Sequence, residues 1–261
     1  MKFLILIFLF LVIYLLFFFK WKKKKQKFYL KNRPIIFGHR GSPRNITENT
    51  IASFEKALDQ KVDGLEFDVR CTRDKKTIIF HDKNLKRLTG QNKNVKSLTL
   101  HEIKEIKLKN GEEIPRLKEV LPLLQKTKVV NIEIKSDSLF RGFDTIYSVI
   151  DFIETNNLEK KCIVSSFNPL ILLKIKIINP GLIIGYLYNK KVMFHSWYNL
   201  AWINTVKPDS LHVHYSLLDS WIVRWSRRQG LKINSYTIND KKVFKNAKID
   251  GVFTDNMEYL K

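Results

Sequence analysis

The feature that most restricts the fold of this 261-residue chain is a repeated alternation between short strand-forming runs and amphipathic helical stretches. β-Branched and aromatic residues concentrate in nine runs, which are the predicted strands: Ile35 to Gly38, Gly64 to Val69, Thr77 to His81, Val129 to Ile134, Ile163 to Ser166, Leu182 to Leu187, Ser210 to His214, Lys232 to Thr237 and Gly251 to Thr254. Apolar residues recur at helical spacing between several of them, most clearly over Glu48 to Lys61 and Phe143 to Asn156. This alternation predicts βα units arranged around a parallel sheet.

The number of predicted strands bears on how that sheet closes. Residues 34–261 are long enough for a (β/α)₈ TIM barrel, and no glycine-rich nucleotide-binding fingerprint favours the doubly wound alternative. A barrel has eight strands, whereas the chain offers nine. Only seven residues separate Val69 from Thr77, too few for a crossover helix. We therefore expect one irregular repeat or one strand outside the barrel, and a site at the carboxyl ends of the strands.

Acidic side chains alternate with apolar ones in the second and fourth predicted strands. Strand periodicity places Glu66 and Asp68 on one face, opposite the leucine, phenylalanine and valine of the same run. In the same way, Glu133 shares a face with Asn131 and Lys135. Carboxylates that point into a barrel need a compensating cation, and three of them suit a hard divalent ion, Mg²⁺ or Ca²⁺. A salt-bridge network made by protein side chains alone is the alternative.

Two histidines flank these acids at the predicted carboxyl edge. His39 follows the first strand within Gly38-His39-Arg40-Gly41, and His81 ends the third strand. Imidazoles titrate near pH 6.5, so a pair of them can divide acid and base duties near neutral pH. Arg40 offers a bidentate fork for phosphate oxygens. The combination favours a catalytic site over a set of ordinary polar residues.

Short motifs also occur in a definite order along residues 34–256. They are GHRG at 38–41, EN at 48–49, EFDVRCTRDKKTIIFHD at 66–82, NIEIK at 131–135, SSF at 165–167 and TD at 254–255. Together they resemble the motifs of the glycerophosphodiester phosphodiesterase family. The resemblance implies a TIM barrel of the phosphatidylinositol-phospholipase-like type. It also implies a phosphoric diester hydrolase that releases glycerol 3-phosphate and an alcohol.

The resemblance implies roles for single residues when the motifs are carried across position by position. The implied roles are metal binding for Glu66, Asp68 and Glu133, acid and base catalysis for His39 and His81, and phosphate neutralisation for Arg40 and Lys135. The chain departs from the family pattern at Tyr236, where the family favours tryptophan. The resemblance places an aromatic side chain there against the glycerol side of the pocket, so Tyr236 bears on substrate preference.

The first 33 residues differ in composition from the rest of the chain. Phe3 to Phe19 carry no charge, and five of the next six residues, Lys20 to Lys25, are lysines. We predict an uncleaved transmembrane anchor over residues 1–20, a basic linker over 21–33 and the barrel domain over 34–261. Because the lysines follow the anchor, the positive-inside rule predicts a single-pass membrane protein with a cytoplasmic catalytic domain. A long secretory signal segment is the alternative.

The net charge of +22 is explained either by anionic partners, such as a membrane surface or phosphorylated substrates, or by a compositional bias of the chain toward lysine. No motif that reads nucleic acid accompanies the charge, so we expect no nucleic acid partner. The leading hypothesis is metal-dependent hydrolysis of glycerophosphodiesters. Two alternatives stay open: a lysophospholipase D that acts on membrane lysophospholipids, and a non-catalytic, membrane-tethered module that binds anionic head groups.

Overall fold

The structure, a computed structural model, describes residues 2–18, 20–188 and 196–260, in which strands and helices alternate. The strands are β1 (Ile35–His39), β2 (Gly64–Cys71), β3 (Thr77–Ile79), β4 (Val129–Ile134), β5 (Cys162–Ser166), β6 (Ile183–Tyr188), β7 (Ser210–His214), β8 (Lys232–Tyr236) and β9 (Gly251–Thr254). The α-helices are α1 (Lys2–Phe18), α2 (Ile51–Asp59), α3 (Lys86–Thr89), α4 (Leu100–Lys104), α5 (Leu121–Gln125), α6 (Asp144–Thr155), α7 (Pro169–Ile178), α8 (Ser196–Val206), α9 (Trp221–Arg228) and α10 (Lys241–Asn246). Single 3₁₀ turns cover Val95–Ser97, Leu117–Val120, Tyr215–Leu217 and Met257–Leu260.

Eight of the strands found in the described residues close a parallel barrel. They follow the order β1-β9-β8-β7-β6-β5-β4-β2, and β1 pairs with β2 to complete the circle. β3 instead pairs antiparallel with the end of β2 and lies outside the barrel. The predicted TIM barrel is confirmed. Of the two expected departures from it, an irregular repeat or a strand outside the barrel, the structure shows the second.

Helix α2 shows why predicted boundaries differ from observed ones, since the apolar pattern runs from Glu48 to Lys61. The Thr50 backbone is extended and its hydroxyl accepts the Ser53 N–H at 3.2 Å, which caps the helix there. Asn49 lies in the left-handed region with φ of 60°, and so does Lys61 with φ of 61°. The backbone geometry at Asn49 and Lys61 therefore keeps the helix shorter than the apolar pattern predicts.

Three aspartates connect neighbouring strands at the amino-terminal end of the barrel. Each precedes a strand and accepts a backbone N–H of the preceding barrel strand: Asp63 from Ile36 at 3.0 Å, Asp209 from Ile184 at 2.9 Å and Asp250 from Ile233 at 2.9 Å. Asp63 also pairs with Arg33 at 2.5 Å and with Lys128 at 3.1 Å. These contacts lie at the end of the barrel opposite the carboxyl edge.

Residues 21–33, the predicted basic linker, pack against this same amino-terminal end. Trp21 is buried, and its Nε1 donates to the carbonyl of Pro208 at 2.9 Å. The Tyr29 hydroxyl donates to Asn234 Oδ1 at 2.9 Å, and its ring packs against an apolar cluster that includes Phe37. The domain boundary at residue 34 stays a prediction, and these contacts bear on where it lies.

The predicted transmembrane anchor requires a correction. α1 contains 17 residues, and at about 1.5 Å per residue it is about 25 Å long, shorter than a hydrocarbon core of about 30 Å. Throughout residues 2–18, 20–188 and 196–260, no helix combines the length and the apolarity needed to cross a membrane. Residues 1 and 19 of the predicted anchor lie outside the described residues. The prediction of a single-pass membrane protein with a cytoplasmic catalytic domain is therefore wrong.

Candidate active site

An acidic cluster comes from two adjacent strands. In the register of β2 and β4, Asp68 lies beside Glu133, and Glu66 lies beside Asn131. Strand alternation turns the three carboxylates into the barrel, and all three residues are buried. One oxygen from each of Glu66, Asp68 and Glu133 lies within 4.8 Å of the others. The structure therefore brings the three predicted metal ligands together.

Two cations compensate part of this negative charge. Lys135 Nζ lies 2.9 Å from Asp68 Oδ1 and also contacts Glu133, while Arg40 Nε lies 3.2 Å from Asp68 Oδ2. Burial raises the pKa of Asp68, but the charges of Lys135 and Arg40 hold it well below its usual value. Burial and the charge of Asp68 raise the pKa of Glu66, although the Arg40 backbone N–H donates to Glu66 Oε2 at 2.9 Å. Glu66 thus remains incompletely compensated.

The donor set of this cluster fits a divalent cation. Three carboxylates converge, and carboxylate oxygens are the ligands that Mg²⁺ and Ca²⁺ prefer. The raised pKa of Glu66 means that its ionised form is costly in the present surroundings, and a further positive charge would reduce that cost. The cluster can therefore hold a metal ion.

His39, at the end of β1, is held by a carboxylate that follows β9. Its Nδ1 lies 2.7 Å from Asp255 Oδ1. Asn239 orients Asp255 by donating to Oδ2 at 2.5 Å and by accepting the Asp255 backbone N–H at 2.9 Å. Burial lowers the pKa of His39, but the Asp255 hydrogen bond and the charge of Glu66 raise it above the usual value. His39 is therefore biased toward its protonated form and has a defined ring orientation.

His81 belongs to a second histidine–aspartate pair. Its Nδ1 lies 2.7 Å from Asp82 Oδ1, and Asp82 Oδ2 accepts a hydrogen bond from Arg87 Nε at 2.6 Å. Burial and the nearby charge of Lys135 lower the pKa of His81 to about 4. His81 is therefore biased toward its neutral form. Two imidazoles with opposite bias suit a site that both takes up and gives out a proton.

Two glycines shape the turn that carries His39 and Arg40. A Cβ on Gly38 would lie 2.6 Å from the Gly41 carbonyl oxygen, and a Cβ on Gly41 would lie 2.4 Å from Ser53 Oγ in α2. Gly41 has φ of 90° and Arg40 has φ of 54°, both in the left-handed region. Such backbone strain in a residue other than glycine clusters at functional sites. The GHRG motif therefore reflects a tight turn packed directly on α2.

The EN motif, which carried no predicted role, braces the same turn. Arg40 Nη1 donates to Glu48 Oε1 at 2.8 Å. Asn49 Nδ2 donates to Asp68 Oδ2 at 2.9 Å, which holds one of the clustered carboxylates. Burial raises the pKa of Glu48, but Arg87 and Arg40 lower it below its usual value. Glu48 is therefore an ionised carboxylate between two guanidinium groups.

A cavity of about 180 Å³ opens among these residues at the carboxyl edge of the barrel. Seven of the eight predicted site residues line it: His39, Arg40, Glu66, His81, Glu133, Lys135 and Tyr236. The eighth, Asp68, contacts Lys135 and Arg40. The residues predicted from separate stretches of sequence thus surround one space.

Tyr236 contributes an apolar surface to the cavity. Its hydroxyl donates to the carbonyl of Tyr188 at 3.1 Å, and its ring meets Phe167 edge to face at 6.1 Å. Phe167 also lines the cavity, together with Leu187 and Phe253. Because the Tyr236 hydroxyl is bound to backbone, its ring is the part that is available to a ligand.

His212, deeper in the barrel, closes the inner end of the cavity. It is fully buried, and its Nε2 lies 3.0 Å from both Ser210 Oγ and Asn234 Nδ2. Gly185 leaves room for the ring, since a Cβ there would lie 2.6 Å from it. Burial lowers the pKa of His212 to about 3, so the ring is neutral. The Asn234 amide links this histidine to Tyr29 in the segment before β1.

Several contributors to the site were not predicted from sequence. Asp82 and Asp255 orient the two histidines, Asn239 orients Asp255, and Arg87 contacts both Asp82 and Glu48. Asp82 and Asp255 lie within the recognised motifs, so the sequence marked their positions but did not indicate what they do. Arg87 was not marked, because it lies between the motifs at 66–82 and 131–135.

A TIM barrel whose carboxyl edge joins an acidic cluster, two histidine–aspartate pairs and two cations defines an enzyme suited to phosphate esters. The sequence profile of the glycerophosphoryl diester phosphodiesterase family matches residues 39–259. A glycerophosphodiester phosphodiesterase of Caldanaerobacter subterraneus subsp. tengcongensis is 35% identical over 240 residues, which cover 87% of this chain and 96% of the relative. The chain belongs to the glycerophosphodiester phosphodiesterase family.

Solved structures share this fold. A glycerophosphodiester phosphodiesterase of Thermotoga maritima superimposes with a TM-score of 0.73 at 31% identity, covering 88% of this chain and 97% of the other. A phosphodiesterase of Oleispira antarctica, solved in complex with the product sn-glycerol-3-phosphate, gives a TM-score of 0.76 at 27% identity and covers 87% and 95%. The chain is therefore a phosphodiesterase by family.

Proposed function

We propose that the chain hydrolyses deacylated glycerophosphodiesters to glycerol 3-phosphate and an alcohol. The observation that carries the proposal is the convergence of three buried carboxylates and two histidine–aspartate pairs on one cavity. The product named for the Oleispira antarctica relative, sn-glycerol-3-phosphate, supports the same reaction.

Glu66, Asp68 and Glu133 would hold one divalent cation, Mg²⁺ or Ca²⁺. When bound, the cation supplies positive charge that stabilises the negative oxygens of a phosphate group. Arg40 and Lys135 line the same cavity and bind phosphate oxygens from the protein side.

The two imidazoles move the protons of the reaction. Asp255 and Asp82 engage the Nδ1 atoms of His39 and His81, which leaves the Nε2 atoms for the substrate. One imidazole takes the proton of the attacking oxygen, which is water or the substrate's own neighbouring hydroxyl. Attack by the hydroxyl forms a cyclic phosphate, which a water molecule then opens to give glycerol 3-phosphate. The other imidazole protonates the departing alkoxide. Their opposite pKa shifts support such a division.

The shape of the cavity favours a deacylated substrate over a lysophospholipid. Its inner end is closed by the buried side chains of His212 and Phe253. A glycerol group fits a closed end of this kind, whereas a fatty acyl chain does not.

Turnover of the purified chain on a substrate panel tests the proposal. Glycerophosphocholine and glycerophosphoethanolamine should release glycerol 3-phosphate, and a chelator should abolish the release until Mg²⁺ or Ca²⁺ is added back. Choline released from lysophosphatidylcholine but not from glycerophosphocholine would favour a lysophospholipase D instead. Binding of anionic head groups without turnover under any metal condition would favour a non-catalytic module.

A further inference from the structure

The residues between Asp82 and β4, here called the insertion (residues 83–128), include a small apolar core of their own, formed by side chains from Leu85 to Ile114. Leu85, Val95 and Ile103 are buried in it and pack with Ile78 of β3. α3 follows Leu85 directly, so this core fixes where the short helix stands. The insertion is therefore a folded unit that can present a side chain of α3 in a defined place.

Arg87, on α3, reaches from the insertion to two carboxylates of the active site. Its Nε donates to Asp82 Oδ2 at 2.6 Å. Its two Nη atoms donate to the Glu48 carboxylate at 2.6 and 3.0 Å, which is a bidentate contact. All three guanidinium nitrogens are therefore used, in a fork geometry that the single ammonium of a lysine cannot reproduce.

Each of these carboxylates also holds a residue that lines the cavity. Asp82 Oδ1 pairs with His81 Nδ1 at 2.7 Å. Glu48 Oε1 accepts a hydrogen bond from Arg40 Nη1 at 2.8 Å. The Arg87 guanidinium is therefore linked to His81 through Asp82 and to Arg40 through Glu48.

We propose that Arg87 is a positioning residue that keeps His81 and Arg40 in a fixed relation to each other. Its removal leaves Asp82 and Glu48 with one partner each, so the imidazole and the guanidinium that they hold gain freedom to turn. A displacement of about 1 Å at a reacting group can reduce the rate by roughly 100-fold. The kinetic consequence rests on the proposed phosphodiesterase function, whereas the positioning itself does not.

Arg73 offers a matched control for substitutions of Arg87. It is also a half-exposed arginine that contacts the insertion, through Glu102 at 3.3 Å and the carbonyl of Ser97 at 3.2 Å. None of these residues lines the cavity. Arg73→Ala therefore removes a comparable side chain and charge without touching the two carboxylates.

Steady-state kinetics on the full chain test the proposal through activity. Arg87→Ala should lower kcat and raise KM for glycerophosphocholine, so that kcat/KM falls by about 10- to 100-fold relative to Arg73→Ala. Arg87→Lys keeps the charge but loses the fork and should recover only part of the loss. Full recovery by lysine, or equal kinetics for Arg87→Ala and Arg73→Ala, would overturn the inference.

Nitrogen-15 NMR of histidine-labelled chain tests the positioning without turnover. The Asp82 carboxylate accepts the proton of His81 Nδ1, and His39 makes the equivalent bond to Asp255 and serves as an internal reference. Arg87→Ala should shift and broaden the His81 Nδ1 signal and leave the His39 signal in place, with a melting temperature close to that of Arg73→Ala. An unchanged His81 signal would refute the positioning role even if the proposed function failed for other reasons.

Discussion

At the scale of single residues, His39 and His81 are both imidazoles, but their pKa values are shifted in opposite directions. Burial lowers the pKa of His39, but Asp255 and Glu66 more than reverse that effect. Burial and Lys135 lower the pKa of His81 to about 4, and its partner aspartate only moderates the shift. The difference arises from neighbours that come from distant parts of the chain, so no local stretch of sequence reports it.

Removal of either imidazole should abolish most turnover while the barrel stays folded. We expect His39→Ala and His81→Ala each to lower kcat for glycerophosphodiesters by about 10² to 10⁴-fold, because a positioned acid or base contributes that much. Initial rates of glycerol 3-phosphate release, with thermal melting as the folding check, measure this. His101→Ala, an exposed histidine of α4, is the control. Near-normal turnover of either site variant would mean that the acid and base are misassigned.

At the scale of elements, the barrel keeps stabilising contacts and the candidate active site at opposite ends. Asp63, Asp209 and Asp250 each bind the backbone of a neighbouring strand at the amino-terminal end. The carboxyl edge instead holds strained backbone at Arg40 and buried acids such as Glu66, which cost stability. Contacts at one end can thus offset the cost of the site at the other.

Asp63→Asn should lower the free energy of unfolding by about 2 kcal/mol at neutral pH, the range for a buried hydrogen bond to a charged group. Burial raises the pKa of Asp63, but Arg33, the Ile36 N–H and Lys128 lower it below its usual value. The ionised carboxylate therefore stabilises the fold above the unfolded pKa of about 4, and this is lost as pH falls through the lower folded pKa.

Urea denaturation of the wild type and Asp63→Asn at neutral pH and below about pH 3 measures this dependence. The difference in the free energy of unfolding between the wild type and Asp63→Asn should shrink toward zero at the acidic pH. Asp59→Asn, which changes an exposed carboxylate at the end of α2, should match the wild type throughout. A difference for Asp63→Asn that stayed constant with pH would rule out the ionised carboxylate as its source.

At the scale of the whole molecule, the segment before β1 packs on the amino-terminal end of the barrel and contacts, through Asn234, the histidine at the inner end of the cavity. Tyr29 binds Asn234, and Asn234 donates to His212, which lines the cavity. The ring of Tyr29 also packs on the apolar cluster that contains Phe37 and Phe253. Residues 21–33 are therefore part of the packing of the barrel as well as a connection to α1.

Tyr29→Ala should destabilise the chain by about 2 to 4 kcal/mol, since it removes a packed ring and leaves the Asn234 amide without that partner. Tyr29→Phe keeps the ring and loses only the hydroxyl hydrogen bond, so its free energy of unfolding should fall by only about 1 kcal/mol. Chemical denaturation of both variants measures this, with Tyr147→Ala, an exposed tyrosine of α6, as the control. A Tyr29→Ala variant as stable as the control would place residue 29 outside the folded domain and support the predicted boundary at residue 34.

Local periodicity in the sequence determined the strands and the face that each acid occupies. Alternation of apolar and acidic residues predicted the directions of Glu66, Asp68 and Glu133, because side chains of a strand must point to opposite faces in turn. The short spacing between Val69 and Thr77 predicted either an irregular repeat or a strand outside the barrel, because a crossover between parallel strands needs more chain. These properties depend only on neighbours along the chain.

Tertiary structure alone decided which groups meet. Asp255 lies 216 positions from His39 and still binds its Nδ1. Arg87, which lies outside the recognised motifs, joins Asp82 to Glu48. The apolar N-terminal run suggested a span that the 17-residue α1 is too short to make. Hydrogen bonds, charge compensation and pKa values depend on distances in space, and barrel closure sets those distances independently of separation in sequence.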